Sequence, residues 1–535
     1  MRLNLSIKFA SNPYIFVINN MKIKLGFILT LGITALQLHS QTNWSEHIAP
    51  ILYNNCTNCH IEGGIAPFSL VGYNKAVTHS GGVKAATASR SMPPWPASSQ
   101  YQRYAHERIL SNEEIALIAD WVNNGTPKGD TTKAPAAPKL NKSGSITGPV
   151  SSLKMPNYQV NTQSDEYRCF VLPSGFSQDR FLTALEVIPG DLRVVHHALI
   201  FYDTSSKPLQ LDAADPKPGY LSFGGTGSSK SELIGLWVPG SEPYYFPSGF
   251  GIKLPKNGNI ILQIHYPGGV SNTTDSTRVI LRTTTTSLRP VAIAPALNHN
   301  SQSLLNGPLY IPANQVKTFN NSYTIPVNLS VFTVGPHMHL IGKSIKAMGV
   351  TPAKDTIRFV DIPKWDFHWQ RAYTFRNIVK VPGGTTLHGT ATYDNTTANP
   401  FNPNNPPLAV GLGEGTNDEM FLVYFWYTLY QAGDENIVID NSSLKNVSKT
   451  VMAQNPDMKV YPNPGSGLFH LESPLLRPGN SMLRIYSADG KLLLNKTLTA
   501  EKNSITADLT ELPAGIYLVQ AEQNGIYIPA RLIKQ

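Results

Sequence analysis

The stretch Leu329–Lys346 reads LSVFTVGPHMHLIGKSIK and begins with six mostly apolar or β-branched residues. Such a run, followed by Gly and Pro, predicts a β-strand. Alternate residues of a strand share one face, so the imidazoles of His337 and His339 project side by side, as chelation of a metal ion requires. Met338 between them faces the other way. The stretch therefore predicts half of a metal site, because two ligands rarely complete one.

The region around this stretch contains several similar runs. Between about Val150 and Ser442, the segments ALIFY, IILQIHY and MFLVYFWYTLY are separated by Gly, Pro and Asn turns, and long helical periodicity is missing. We therefore predict a pair of mainly-β, jelly-roll-like sandwich domains, at residues 151–285 and 286–445.

Four further residues in this region carry side chains that bind metals. His196 and His197 in RVVHHALIFYD face opposite ways on a regular strand, so one metal uses both only at a strand end, bend or bulge. Either one could instead be a buried, hydrogen-bonded side chain. A lone histidine such as His265, at the end of an apolar strand, is usually structural. Met420 is by default a core methionine, but a thioether beside two imidazoles favours copper over zinc.

The order His-His, His, His-x-His, Met resembles that of the copper type II, ascorbate-dependent monooxygenases, the family of the peptidylglycine α-hydroxylating and dopamine β-monooxygenases. The resemblance implies two β-sandwich domains, each with one copper ion, that face each other across a solvent-filled cleft. The ligands implied for the electron-storage copper are His196, His197 and His265. Those implied for the oxygen-binding, substrate-hydroxylating copper are His337, His339 and Met420, with Tyr424 in the substrate pocket.

Two positions differ from the peptide-hydroxylating branch of that family. Gly335 stands where the peptide enzyme carries an arginine for the peptide carboxylate, and Leu422 stands in place of its pocket asparagine. A glycine-extended peptide is therefore not the expected substrate, and we expect a small organic molecule, O2 and a reductant such as ascorbate. Cys169 lies where the family often has a cysteine, yet its disulfide partner is absent.

A separate motif, NNCTNCHIEGG, contains Cys56, Cys59 and His60 in the Cys-x-x-Cys-His pattern of c-type haem attachment. The thiols would form thioethers to the haem, and the histidine would be an axial iron ligand. A disulfide or redox Cys-x-x-Cys is the alternative, and zinc would need a second ligand pair that the sequence lacks. Met92 is the predicted sixth ligand, with His79 as its rival.

The segment LSNEEIALIADWVNNGTP after this motif predicts an amphipathic helix. Ser111 and Glu114 form a capping box at its start, and Gly125 with Pro127 ends it. Residues 41–128 thus resemble a small, all-α c-type cytochrome domain, followed by a polar linker at 129–150. We hypothesise that this haem passes single electrons to the storage copper and replaces or supplements ascorbate.

Both ends of the chain resemble targeting segments. Residues 1–40 comprise an N-terminal extension and a signal peptide, whose apolar part, Leu25–Leu38, is too short for a membrane span. After a linker at 446–457, residues 458–535 contain YPNP, DGK and PAGIY and resemble the small β-sandwich sorting domain of the type IX secretion system of the Bacteroidota. The resemblance implies contact with that machinery and export, to the medium or the cell surface. A carbohydrate-binding or adhesive module is the alternative.

Composition excludes some functions. The chain has 535 residues, too many for one core, and its net charge of +9 is spread without a Lys/Arg run, so we predict no nucleic-acid binding. No segment outside the signal reaches transmembrane length. A non-catalytic surface electron-transfer or copper-binding protein is the alternative to the enzyme, and a sugar-binding surface protein is a third possibility. Structural or surface roles are expected for the remaining unpaired histidines, His106, His299, His368, His388 and His470.

Overall fold

The computed structural model describes residues 41–140, 143–439, 458–473, 476–487, 492–523 and 526–535. The predicted signal peptide at 1–40 and the predicted linker at 446–457 lie outside the described residues. The contacts place Thr42–Gln535 in one structural unit.

The segment with the haem motif is helical, as predicted. A π-helical turn, Trp44–Ile48, leads into α1, Ala49–Asn55, and three more helices follow: α2, Tyr73–Thr78; α3, Ser80–Ala88; and α4, Asn112–Asn123. The predicted capping box starts α4, because Ser111 Oγ accepts from the Glu114 N–H at 3.1 Å and Glu114 Oε2 accepts from the Ser111 N–H at 2.8 Å. Ile118 and Trp121 of α4 are fully buried in the core shared by these helices.

The next region is a sandwich of two main sheets. One sheet has the order β1-β12-β4-β9-β13 with β8 paired to β4, the other has the order β6-β3-β10-β5-β7, and β11 pairs with β2. The strands are β1, Ser151–Lys154; β2, Tyr158–Thr162; β3, Glu166–Pro173; β4, Arg180–Ile188; β5, His197–Asp203; β6, Tyr220–Leu221; β7, Glu232–Trp237; β8, Tyr244–Tyr245; β9, Phe250–Leu254; β10, Asn259–Tyr266; β11, Val270–Asp275; β12, Arg278–Thr284; and β13, Arg289–Pro290. One short helix, α5 at Lys207–Ala214, lies here where the sequence indicated only strands.

A second sandwich follows, with sheets β14-β23-β17-β20 and β16-β21-β18-β19 and the pair β15-β22. Its strands are β14, Ala292–Leu297; β15, Tyr310–Ile311; β16, Gln315–Thr324; β17, Leu329–His337; β18, Gly342–Val350; β19, Thr356–Ile362; β20, Tyr373–Val381; β21, Thr386–Asn395; β22, Val410–Gly411; and β23, Leu422–Leu429.

Strand β17 is largely apolar because both of its faces are buried. Val331 and Val334 pack into the core of the second sandwich, whereas Phe332 packs into the core of the first, with its ring 5.1 Å from that of Phe250. A strand covered on both sides shows a continuous apolar run in place of alternation. The two sandwiches therefore share a buried apolar boundary along β17 and its neighbour β23.

Part of the predicted haem domain packs on the second sandwich. The Ser98 N–H donates to Asp361 O at 2.8 Å, and the Ala105 N–H donates to Thr374 O at 2.7 Å. Tyr104 is fully buried, and its hydroxyl donates to Phe359 O at 2.7 Å. The chain between α3 and α4 thus fastens the haem-motif segment to the second sandwich.

The C-terminal region contains two small sheets, β24-β25-β28 and β27-β26-β29-β30, around a core of its own. Its strands are β24, Lys459–Tyr461; β25, Leu468–Glu472; β26, Gly479–Ser487; β27, Leu492–Ala500; β28, Ser504–Asp508; β29, Gly515–Gln523; and β30, Ile526–Lys534. Among the described residues, no helix has both the length and the apolar character needed to cross a membrane.

Candidate metal centres

Three histidines of the first sandwich form one cluster, which we call site A: His196, His197 and His265. Antiparallel pairing of β5 with β10 sets His197 directly opposite His265, on the same face of the sheet. His196 precedes β5, outside the regular strand, and its Nδ1 lies 3.2 Å from His197 Nδ1 and 3.1 Å from His265 Nδ1. The strand end thus lets two adjacent histidines share one site.

The donor set of site A fits a metal ion. Ligand nitrogens about 2 Å from one ion lie roughly 3 to 3.5 Å apart, close to the spacings found here. Burial lowers the pKa of His196 to about 4 and the pKa of His197 well below its ordinary value, so both imidazoles are neutral at pH 7 and can act as ligands.

Two residues support His265 from the side away from the cluster. Asp165 Oδ1 lies 3.6 Å from His265 Nε2, and this contact holds the pKa of the Asp165 carboxyl well below its usual range. The ring of Tyr167, the partner of His265 on β3, stacks on the imidazole with centroids 4.3 Å apart and planes 4° apart. A carboxylate and a stacked ring of this kind orient a ligating imidazole.

Four residues of the second sandwich form site B: His337, His339, Met420 and Tyr424. In the pairing of β17 with β23, Gly335 is opposite Tyr424 and His337 is opposite Leu422. The same register, continued by two residues, sets His339 beside Met420 where the strands part. Alternate residues share a face, so all of these positions are on the side turned toward the first sandwich. Met338 faces the opposite way, into the core, as expected.

A buried carboxylate missed by the sequence analysis holds the two strand ends of site B together. Glu419 Oε2 accepts the backbone N–H of His339 at 2.9 Å and that of Met420 at 3.2 Å, and Oε1 accepts the N–H of Ile341 at 2.9 Å. Glu419 is fully buried, and burial raises its pKa although these donors favour the charged form. This carboxylate connects the histidine turn to the methionine.

The imidazoles of site B are close together and anchored. The rings of His337 and His339 are 5.0 Å apart, His337 Nδ1 bonds to Gln370 Oε1 at 2.5 Å, and His339 Nδ1 bonds to Asp418 O at 3.1 Å. These bonds use the Nδ1 of each ring, so Nε2 is the nitrogen expected to ligate a metal. Burial lowers the pKa of His337 to about 3 and of His339 to about 4, so site B also offers neutral ligands.

Both sites open on one cavity of about 1060 Å³, whose lining includes His197, His337, His339, Met420 and Tyr424. Much of the remaining lining is apolar, with Leu236, Trp237, Val291, Ile293 and Leu422. Gly335 also lines the cavity, and a Cβ at that position would lie 3.2 Å from the Trp426 ring. The cavity can therefore hold a small organic molecule within reach of both histidine clusters.

The haem motif follows α1. Cys56 and Cys59 are unpaired thiols, and the N–H groups of Cys59 and His60 bond to Cys56 O at 3.2 and 2.9 Å in a tight turn. His60 Nδ1 bonds to Phe68 O at 3.1 Å, which leaves Nε2 for a metal. These donors fit the covalent haem predicted from sequence.

The two candidates for the sixth haem ligand differ in surroundings. His79 stacks on Phe68 with ring centroids 3.9 Å apart, and it contributes to lowering the pKa of His60, after the larger effect of burial. Met92 follows α3, is partly buried and precedes a cis proline. Cys169, which was noted for its missing disulfide partner, is buried as a free thiol.

Two histidines assigned structural or surface roles lie near the sites. His299 lines the cavity, and its Nδ1 accepts the Phe421 N–H at 3.2 Å. His368 is exposed, with its ring 6.5 Å from that of His196. Their isolation in sequence hid this proximity, which only the packing of distant segments creates.

Comparison with known protein families finds two matches. Residues 310–451 match the copper type II ascorbate-dependent monooxygenase, C-terminal domain, and residues 459–535 match the secretion system C-terminal sorting domain. The first range contains all four residues of site B. The second coincides with the C-terminal β module and confirms the predicted sorting domain.

Among curated proteins, tyramine beta-hydroxylase of Caenorhabditis briggsae is 24% identical over 282 residues, which cover 48% of this chain and 44% of that protein. The chain thus spans less than half the length of this relative. Together with the domain match, it supports the predicted enzyme class, an oxidoreductase of the copper type II monooxygenase kind, with copper as cofactor.

Solved structures align only weakly. The beta-glucuronidase of Faecalibacterium prausnitzii has a TM-score of 0.12 at 11% identity, covering 48% of this chain and 41% of that one. A biofilm-associated protein BSP domain has a TM-score of 0.13 at 8% identity, covering 74% and 84%.

Proposed function

We propose that this chain is an exported copper monooxygenase that hydroxylates a C–H bond of a small organic substrate with O2. The observation that carries the proposal is the pair of imidazole clusters that open on one cavity, only one of which includes a thioether. Insertion of one oxygen atom and reduction of the other to water needs two external electrons. Two one-electron sites beside one substrate cavity match that requirement.

The residues divide the work between the sites. His196, His197 and His265 would hold the copper that stores an electron. His337, His339 and Met420 would hold the copper at which O2 reacts. Copper supplies the redox chemistry when it is bound, while the protein supplies neutral ligands, an apolar cavity that limits water, and a fixed position for the substrate.

Oxygen uptake coupled to ascorbate oxidation tests the proposal, with the hydroxylated product identified by mass spectrometry. Met420→Ala should lower product formation by about 100-fold or more, because it removes a ligand of the reacting copper. Met348→Ala, on β18 and outside the lining of the cavity, is the matched control and should leave turnover unchanged.

The alternative is a non-catalytic electron-transfer or copper-binding protein on the same fold. It predicts copper binding without product, and oxygen uptake that Met420→Ala does not alter. A sugar-binding surface protein predicts no copper, so metal analysis of the purified chain distinguishes this third possibility.

For the substrate we propose a small aromatic amine. Glu414 lines the same cavity as Tyr424, so a carboxylate able to bind an ammonium lies near site B. Burial raises the pKa of Tyr424, and the charge of Glu414 adds to this effect. The name of the C. briggsae relative points to the same chemistry. Tyramine should be hydroxylated faster than neutral 4-ethylphenol.

A pair of carboxylate variants tests this assignment. Glu414→Gln should remove the preference for tyramine, mostly through KM, because the ammonium loses its partner. Glu232→Gln, a second carboxylate in the cavity lining, is the control. Equal rates for the amine and the neutral analogue in the unmodified protein would contradict the assignment.

We further propose that Cys56, Cys59 and His60 carry a covalent haem c with Met92 or His79 as sixth ligand. The intact mass and the visible spectrum detect the haem. Loss of the absorption band of a methionine sulfur bound to iron, in Met92→Ala but not in His79→Ala, would assign the sixth ligand to Met92. We also propose that the type IX machinery reads residues 459–535 and delivers the enzyme to the cell surface or the medium.

A further inference from the structure

One short segment of the second sandwich contacts histidines of both copper sites and lies near the haem motif. We call Phe367–Arg371 the connector segment; it joins β19 to β20 and begins with a single 3-10 turn, Phe367–Trp369. The contacts that matter here are made by three of its residues: Phe367, Gln370 and Arg371.

The aromatic end of the connector segment lies between the two histidine sites. The buried Phe367 ring stacks against His196 of site A, with centroids 5.4 Å apart and planes 24° apart. It also contacts His339 of site B edge-on, at 5.9 Å. One ring therefore spans the space between the imidazoles of the two sites.

The middle of the connector segment bonds directly to a site B ligand. Gln370 Oε1 bonds to His337 Nδ1 at 2.5 Å, and Gln370 Nε2 donates to Phe367 O at 3.0 Å. The amide thus joins the imidazole to the backbone of the same segment. Such a partner fixes the orientation of a ligating histidine.

The polar end of the connector segment lies near the haem motif. A Cβ at Gly240 would lie 3.1 Å from Cys59 Sγ and 4.0 Å from an Arg371 guanidinium nitrogen, so the thiol and the guanidinium approach the same point. The Arg371 guanidinium also covers the Trp95 ring at 5.2 Å. Burial lowers the pKa of Arg371 to about 10, which leaves it charged at neutral pH.

We propose that the connector segment is the route by which an electron passes from the haem to the copper sites. The route runs from the Cys59 thioether past Arg371, then through Gln370 to His337 and through Phe367 to His196. It rests on the proposed haem and copper function. With these groups bound, each event would oxidise the haem iron from Fe(II) to Fe(III) and reduce one copper from Cu(II) to Cu(I), without proton transfer. Ascorbate or another one-electron donor would then reduce the haem again.

A competing route leads from Cys59 along Trp237–Gly240 of the first sandwich. Trp237 ends β7 and pairs with Ala198, the neighbour of His197 on β5. This competing route reaches site A without passing through the connector segment. Substitutions at different residues should therefore slow electron transfer along the two routes.

Flash reduction of the haem in the copper-loaded, full-length chain tests the route. A photoexcited flavin donates one electron, and haem absorbance reports its transfer to Cu(II). His197→Ala provides a chain with site B alone, and His339→Ala one with site A alone. In the chain with site B alone, Gln370→Ala should slow electron transfer about tenfold. In the chain with site A alone, Phe367→Leu should slow it about tenfold. Arg371→Met should slow electron transfer in both chains.

Controls separate loss of the route from loss of a site. Lys364→Ala, an exposed change in the same loop, should alter neither rate. Copper content and the Cu(II) EPR spectrum are measured for every variant, so slow transfer counts only where the copper site is intact.

Each outcome has one meaning. Unchanged rates in all three connector variants, or slowing by Trp237→Leu alone, would overturn the route. Absence of covalent haem from the intact mass would also overturn it and leave the copper monooxygenase proposal standing. Normal electron arrival without any hydroxylated product would instead overturn the proposed function and leave the route in place.

Discussion

Sites A and B use the same imidazole chemistry but are built in different ways. In site A, sheet register does most of the work, since His197 and His265 are opposed residues of adjacent strands and His196 precedes the first of them. In site B, His339 and Met420 lie beyond the paired strands, and the Glu419 side chain connects them. Site A should therefore tolerate changes around it better than site B does.

The largest effect expected is from the carboxylate that holds site B. Glu419→Ala leaves three buried N–H groups without their acceptor, which should cost roughly 3 to 5 kcal/mol of the free energy of unfolding. Chemical denaturation measures the change in the free energy of unfolding. Metal analysis and EPR of the folded variant should show that copper is lost from site B while site A retains one equivalent.

Glu186→Gln is the matched control for this prediction. Glu186 is also a buried carboxylate that accepts backbone N–H groups, from Ser145 at 2.7 Å and Ile146 at 3.1 Å, but it lies outside the cavity lining. The Glu186→Gln substitution should lower the free energy of unfolding and leave copper bound at both sites. Equal copper loss from the two sites in Glu419→Ala would contradict the difference between them.

An intermediate effect is expected at the ion pair that joins the two sandwiches. Arg289 Nη1 and Nη2 each donate to Asp434 at 2.7 Å, and Ser330 Oγ donates to the same carboxylate at 2.6 Å. Asp434→Asn should lower the free energy of unfolding by about 2 kcal/mol at pH 7 and leave both copper sites loaded.

The pH dependence of this contribution has a definite sign. Hydrogen bonding to Arg289 lowers the pKa of Asp434 to about 2 in the folded chain, whereas an unfolded aspartate titrates near 4. The difference in stability between the unmodified chain and Asp434→Asn should be complete above about pH 4 and vanish as the pH falls through about 2. A constant difference down to pH 2 would contradict this assignment.

The smallest effect is expected at the ring that supports site A. Tyr167→Ala removes the stack on His265 and should weaken copper binding at site A by about three- to tenfold, the equivalent of roughly 1 kcal/mol. Tyr167→Phe keeps the ring and should bind copper normally in the same titration. If Tyr167→Ala lost as much copper from site A as Glu419→Ala loses from site B, the proposed difference in tolerance between the two sites would be contradicted.

Much of both sites could be predicted from local sequence. The alternation that pairs His337 with His339 and turns Met338 into the core follows from strand geometry alone. The need for a strand end at His196–His197 follows from the same rule. The Ser111–Glu114 capping box is equally local and is present in the structure.

Other features lie beyond any local pattern. Glu419 is one residue from Met420, yet its carboxylate oxygens accept from N–H groups about 80 positions away in the sequence. An acidic residue that follows Asp418 in a polar turn gives no local sign of burial. Gln370 and Phe367 belong to a loop without chelating spacing. The short helix α5 has little amphipathic pattern and was missed for that reason.

The sequence by itself determined the kinds of candidate ligand, their order and the strand faces that carry them, because side-chain chemistry and the two-residue period are local properties. Only the tertiary structure decided that both sites open on one cavity, that Phe367 lies between them and that Cys59 and Arg371 both lie near Gly240. These contacts join residues far apart in the chain, and they exist because burial of apolar surface packs the two sandwiches and the helical segment against one another.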